Sequence, residues 1–133
     1  MSKPTKPTDG ELEILNILWK EGPSTVRTVH EQLNKDAGYT TTLKLMQIML
    51  EKGLLRRDAG AKIHIYEAAV SGEQTRGQLV QRMIDTAFNG SAMNLVMQAL
   101  GNHKASSAEM DQIREYLEKA EKAEKATTKK KRE

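Results

Sequence analysis

Apolar residues recur every three or four positions in six stretches of the chain, and in one stretch the period drops to two. The first stretch, "LEILNILW", predicts a helix from about Asp9 to Lys20 that buries Leu12, Leu15, Leu18 and Trp19. Thr8 and Glu11 stand three apart ahead of it, the spacing at which a hydroxyl and a carboxylate satisfy each other's orphan amides. Gly22 and Pro23 end this helix, one through backbone freedom and the other through its missing amide proton. Ser24 or Thr25 caps a second helix, "VRTVHEQL", striped by Val26, Val29 and Leu33. A third runs from a Thr40 cap to about Lys52 and stops at Gly53. In "LLRRDAGAKIHIYEA", Ile63 and Ile65 alternate with His64 and Tyr66 and "DAGA" supplies a turn, so a two-stranded hairpin follows.

Orientation matters most in the third helix. If Leu43, Met46 and Leu50 point inward, its outer face carries Thr41, Lys44, Leu45, Ile48 and Lys52. Hydroxyls, cations and branched aliphatics together make an odd face to leave in water.

Beyond Ser71 the pattern is helical again. Ser71 with Gln74 repeats the capping box, and Leu79, Val80, Met83, Ile84, Ala87 and Phe88 form a broad band that stops near Asn89 and Gly90. Ser91 caps a short helix with Met93, Val96, Met97 and Leu100, and Ser106 with Glu109 opens the last, with Met110, Ile113, Tyr116, Leu117 and Ala120 at helical spacing. Three such helices are too few to close a core of their own. A second copy of the same segment is the expected cover, because two-fold homodimers are the commonest soluble assembly. Leu79, Val80, Met83, Ile84, Phe88, Val96, Met97, Leu100, Met110, Ile113 and Leu117 are therefore the dimerisation candidates. The expected organisation is a domain over 1–70, a helical dimerisation region over 71–126 and a basic disordered tail over 127–133.

Composition narrows the chemistry. The 133 residues contain no Cys, which removes disulfides, thiolate metal sites and thiol nucleophiles. His30, His64 and His103 lack the spacing of a zinc site, so no metal or cofactor is expected. Glu11 and Glu13 lie on different faces and Ser91 has no base beside it, so no catalytic residue and no enzyme is expected. No apolar run reaches the roughly eighteen residues of a membrane span, and "MSKPTKPTDGE" lacks the apolar middle of a signal peptide, which makes a cytoplasmic protein with no membrane contact the expectation. The net charge is +3, but the last seven residues hold four of the 21 Lys and Arg and one of the 18 Asp and Glu, leaving 17 of each sign before them. Bulk charge carries no functional argument.

The order of elements does. Three helices and a hairpin are the order of a winged helix-turn-helix, a mainly α fold whose second helix crosses the phosphate backbone and whose third enters the major groove. On that scheme Thr25, Arg27, Thr40 and Thr42 orient the domain on phosphates, while Thr41, Lys44 and Ile48 read sequence. Leu45 and Ile48 offer apolar contact to thymine methyls. Arg56 and Arg57 straddle a strand, so one is expected to face DNA or solvent and the other to form an ion pair; Arg57 is the DNA-contact candidate, with Lys62 of the wing on the flanking backbone. A rival reading is a winged-helix protein–protein adaptor that binds no duplex, favoured by the neutral body and by Leu45 and Ile48.

From Thr8 to about Leu117 the chain resembles the penicillinase repressors, the BlaI/MecI family. The resemblance rests on "TDGELEILNILW", "PSTVRTVHEQL", "YTTTLKLMQIMLEKGLL" with a wing ending in "IYEA", and "FNGS" followed by an apolar helix. It implies a winged-helix amino-terminal domain, a carboxy-terminal helical dimerisation region and a homodimeric repressor acting on double-stranded DNA at inverted-repeat operators. Departures fall on the surfaces that would touch DNA. Lys44 stands where such repressors usually have Thr, Ile48 where they often have Arg, Ala61 and Lys62 where the wing has Gly-Arg, and His64 at an aromatic position. Some relatives are released through a membrane-sensor pathway that ends in cleavage of an Asn-Phe bond. Here Gln98 and Ala99 align with that bond and Asn94-Leu95 is only similar, so the switch is not carried over and the upstream sensor or protease stays open. The Cys-rich tail of copper-responsive relatives is absent.

Overall fold

Both halves of the first cap form in the computed structural model, which describes residues 6–33, 36–58, 60 and 62–132. The Glu11 amide donates to Thr8 Oγ1 at 3.2 Å and the Thr8 amide to Glu11 Oε1 at 2.8 Å, and α1 (Asp9–Glu21) begins there. It ends at Gly22, whose φ of 82° only glycine adopts without strain and whose amide closes on the Leu18 carbonyl at 2.8 Å. Thr25 Oγ1 accepts the Thr28 amide at 3.2 Å and starts α2 (Val26–Leu33). The third helix, α3 (Tyr39–Glu51), starts one residue before the expected Thr40 cap. Gly38 takes the cap position without a side-chain bond, and Thr40 lies inside the first turn.

Strands β1 (Leu55–Asp58) and β2 (Ile65–Ala68) pair antiparallel, with Leu55 opposite Ala68 and Arg57 opposite Tyr66. Ser24 joins them through an isolated bridge, exchanging both backbone bonds with Tyr66 at 2.8 Å. The segment before α2 is thereby tied to the wing, and the unit is a winged helix. Of the expected "DAGA" turn, Gly60 donates its amide to Asp58 Oδ1 at 2.9 Å, while Ala59 and Ala61 lie outside the described residues.

Among the described residues the ten buried hydrophobic ones all belong to this part: Ile14, Leu15 and Leu18 from α1, Val26 and Val29 from α2, Met46 and Met49 from α3, and Leu54, Leu55 and Tyr66 around the hairpin. Two expectations for α1 change. Ile14 is buried completely, whereas Leu12 and Trp19 are only half-buried at the edge of the core. Trp19 joins α1 to the next segment instead, its indole N–H donating to the Val70 carbonyl at 2.9 Å while the Arg76 guanidinium sits 5.0 Å from its ring. A Cβ on Gly72 would come within 3.2 Å of Trp19 and 2.9 Å of the Arg76 guanidinium, so a larger residue there would have to displace that guanidinium and press on the indole.

The chain divides into two compact units, Met1–Met83 and Ile84–Glu133. The first thus reaches past residue 70, because Val70, Gly72 and Arg76 pack on Trp19 and because Thr75 of α4 (Gly72–Thr86) is buried. In the second, Gly90 adopts φ 87° and returns its amide to the Ile84 carbonyl at 2.7 Å. Ser91 Oγ then accepts the Asn94 amide at 3.1 Å to open α5 (Ala92–Asn102). Ser106 Oγ does the same for Glu109 at the start of α6 (Ser107–Arg132). Helix α6 continues through residue 127 to Arg132, and residue 133 lies outside the described residues. Ala, Glu and Lys are strong helix formers, and pairs such as Glu115–Lys119 at 3.4 Å support the exposed helix. No described helix is long and apolar enough to cross a membrane.

Candidate functional site

The site is set by how α3 is rotated about its axis. The residues α3 buries are Thr42, Met46 and Met49, not the expected Leu43, Met46 and Leu50. At 100° per residue this turns the helix by roughly 60°. A buried hydroxyl needs a partner, and Thr42 has one: its Oγ1 lies 2.8 Å from His30 Nδ1 of α2. Thr42 therefore cannot serve as the expected phosphate contact. Leu45 turns toward α1, half-buried against the core with its Cδ2 3.7 Å from where a Cβ on Gly10 would sit.

Lys52 leaves the outer face too. Its Nζ reaches both carboxylate oxygens of Glu11, at 2.7 and 2.9 Å, and clamps the end of α3 to the start of α1. Glu11 is 2% exposed. Burial alone would raise its carboxyl, but the bonds from Lys52 and from the Thr8 amide, with the Lys52 charge, outweigh burial and hold it below its ordinary 4.5. Sequence spacing could not reveal this pair, whose members stand 41 positions apart.

What α3 leaves outward is Thr40, Thr41, Lys44, Gln47, Ile48 and Glu51, all exposed. Four of the sequence candidates thus share this face: Thr40, Thr41, Lys44 and Ile48. Gln47 was missed, because centring the core on Leu43 and Leu50 turns it toward the flank.

Beside the first turn of α3 runs an open groove of about 340 Å³, which brings together three more candidates, Thr25, Arg27 and Lys62, with Tyr39 and His64. Thr25 is half-buried and its hydroxyl is engaged by the Thr28 amide and hydroxyl, so it shapes the groove as a cap. Arg27 lies 5.2 Å from the centre of the Tyr39 ring, which also meets His30 edge-on at 6.0 Å. This cation–π contact was not foreseen; it joins the first turn of α2 to the first turn of α3. On the wing, Arg56 Nε bonds Glu67 Oε1 at 3.1 Å, which is the expected ion pair, and Arg57 is exposed on β1 outside the groove lining. Among the described residues no group of His, Asp and Glu is placed to hold a metal ion.

In the second unit α5 buries no residue. Val96, Met97, Leu100 and Leu117 are exposed, as are Val80 and Met83 before the division, whereas Leu79, Ile84, Phe88, Met110 and Ile113 are half-buried.

Comparison with known proteins converges on one group. The chain is 22% identical over 120 residues to the penicillinase repressor of Bacillus licheniformis, which covers 89% of this chain and 94% of the relative. It is 29% identical over 126 residues to the transcriptional regulator BlaI of Mycobacterium tuberculosis, covering 91% and 89%. With the methicillin resistance regulatory protein MecI of Staphylococcus aureus it shares 24% over 114 residues, covering 84% and 93%. The family model described as Penicillinase repressor matches residues 7–119, a span that takes in the winged helix, its outward α3 face and most of the helices that follow. The chain belongs to the penicillinase repressor family.

Proposed function

We propose that the chain is a homodimeric, DNA-binding transcriptional repressor that occupies an inverted-repeat operator, each protomer placing α3 in the major groove of one half-site. The observation that carries this reading is the exposed α3 face, which offers hydroxyls at Thr40 and Thr41, a cation at Lys44, an amide at Gln47 and an aliphatic side chain at Ile48. A helix with such groups fits a groove whose floor presents hydrogen-bond donors, acceptors and thymine methyls. Arg27 and Lys62 in the adjoining groove, with Arg57 on β1, are the cations that would meet phosphates. The relatives' own names, repressor and regulator, support the regulatory half of the reading.

In this reading residues 1–70 hold the DNA-contacting elements and 71–126 provide dimerisation. The support for a second copy is the apolar side chains left in water by the single chain: Met97 is 66% exposed, Leu117 56% and Met83 51%. Burying them against an identical surface removes that exposure and sets two α3 helices at a spacing dictated by the pair.

The test is binding of purified protein to duplex fragments from upstream regions of its own genome, followed by fluorescence anisotropy at rising salt. Sequence-dependent binding that weakens with salt is expected. Lys62→Ala and Arg57→Ala should each flatten the log–log salt dependence by about one unit, as expected for one lost phosphate contact. No retention of any duplex at low salt would overturn the proposal.

A further inference from the structure

We infer that Gln47 is a base-reading residue, selecting adenine at the base pair next to the one addressed by Lys44. The inference rests on the DNA-binding reading above and extends it to specificity. Relative to the buried Thr42–Met46–Met49 edge, Thr40, Lys44, Gln47 and Glu51 all project within about 50° of the direction opposite the core. Gln47 is exposed, and among the described residues nothing hydrogen-bonds its amide. A side chain that neither packs nor caps has its donor and acceptor both available to an outside partner.

The chemistry of that partner follows from the amide. Gln presents a carbonyl and an NH₂ side by side, matching the N6 donor and N7 acceptor that adenine shows in the major groove. Lys44, a point charge without acceptor capacity, matches guanine O6 and N7 or a phosphate. Three residues of helix advance about 4.5 Å, against about 3.4 Å per base pair, so Lys44 and Gln47 address adjacent steps. Glu51, one turn further along the same face, places a carboxylate where phosphates would repel it. It ends the readable stretch and leaves the first three turns of α3 facing the duplex, as in other helix-turn-helix proteins.

The experiment is selection from a randomised duplex library by full-length wild type, Gln47→Ala and Gln47→Glu, each then titrated on the selected duplexes. Wild type should select an adenine that Gln47→Ala no longer distinguishes, with affinity for the adenine site falling about 5- to 150-fold and affinities for the other three bases unchanged. Gln47→Glu should turn the preference at that position toward cytosine, whose N4 amino group donates to a carboxylate. Identical selected sequences from wild type and both variants would overturn the inference while leaving DNA binding intact. Failure of wild type to select any sequence would overturn both. The position is exposed and both replacements are good helix formers, so circular dichroism of the variants should match wild type.

Discussion

Lys52→Met removes the charge of the Glu11–Lys52 clamp and keeps most of the apolar stem. It leaves a carboxylate that is 2% exposed with Thr8 as its remaining support, the Thr8 amide donating at 2.8 Å. Breaking a buried pair from one side destabilises by about 3–5 kcal/mol. The Lys52 side chain is 25% exposed, so water screens part of the attraction and about 2–3 kcal/mol is the working figure. In a unit of this size that lowers Tm by about 10–20 °C. Glu11→Gln in the same background keeps an acceptor for the Thr8 amide while removing the stranded charge, and should recover most of the loss.

The pH dependence follows from the sign of the shift. The Glu11 carboxyl is held below its ordinary 4.5 in the folded chain, so its contribution is complete above that value and disappears as pH falls through the lower folded-state value. In Lys52→Met the same carboxyl is buried without its cation and rises above the ordinary range, so acid relieves the variant as it weakens wild type. The gap between them should therefore shrink from pH 7 to pH 4. The assay is urea unfolding followed by fluorescence of Trp19, the single Trp of the chain, which is hydrogen-bonded within this unit. A difference under about 0.5 kcal/mol at pH 7, or one equal at both pH values, would refute the clamp.

Two further outcomes test the rest of the architecture. Thr42→Val keeps the shape of the side chain and deletes the partner of His30 Nδ1, and it should lower stability by about 1 kcal/mol in the same unfolding assay; unchanged stability would mean that the hydroxyl does not hold the rotation of α3. Met97→Glu places a charge on the exposed apolar face of α5 and should convert a sedimenting dimer into monomer, with operator affinity falling by about 10²–10⁴ as bivalency is lost. A dimer of unaltered mass would exclude that face from the interface.

Much of this protein was legible in local order. Thr8 with Glu11, Ser71, Ser91 and Ser106 each accept an amide three residues on, as their spacing predicts, and the helices start where those caps lie. Caps and helical stripes involve neighbours within about a turn, so a short window contains all the partners they need. The one misplaced start, at Thr40, shows the limit of that logic: glycine can open a helix without a side-chain bond, and the hydroxyl expected to cap lies in the first turn. The α6 extension shows another, since "KAEKAEKATT" reads as low complexity although its residues individually favour helix.

Sequence by itself determined the element order and the winged-helix class, and it singled out Arg27 and Lys62, which line one groove. Only tertiary structure decided which way α3 turns, that Thr42, Leu45 and Lys52 leave its outer face, and that Gln47 joins it. The physical reason is that burying a polar group is settled by a partner brought from elsewhere in the chain. Thr42 goes inward because His30, twelve positions back, meets its hydroxyl, and Glu11 because Lys52, 41 positions ahead, meets its carboxylate. Hydrophobic periodicity assigns every such residue to water, and is wrong wherever the fold supplies the missing bond.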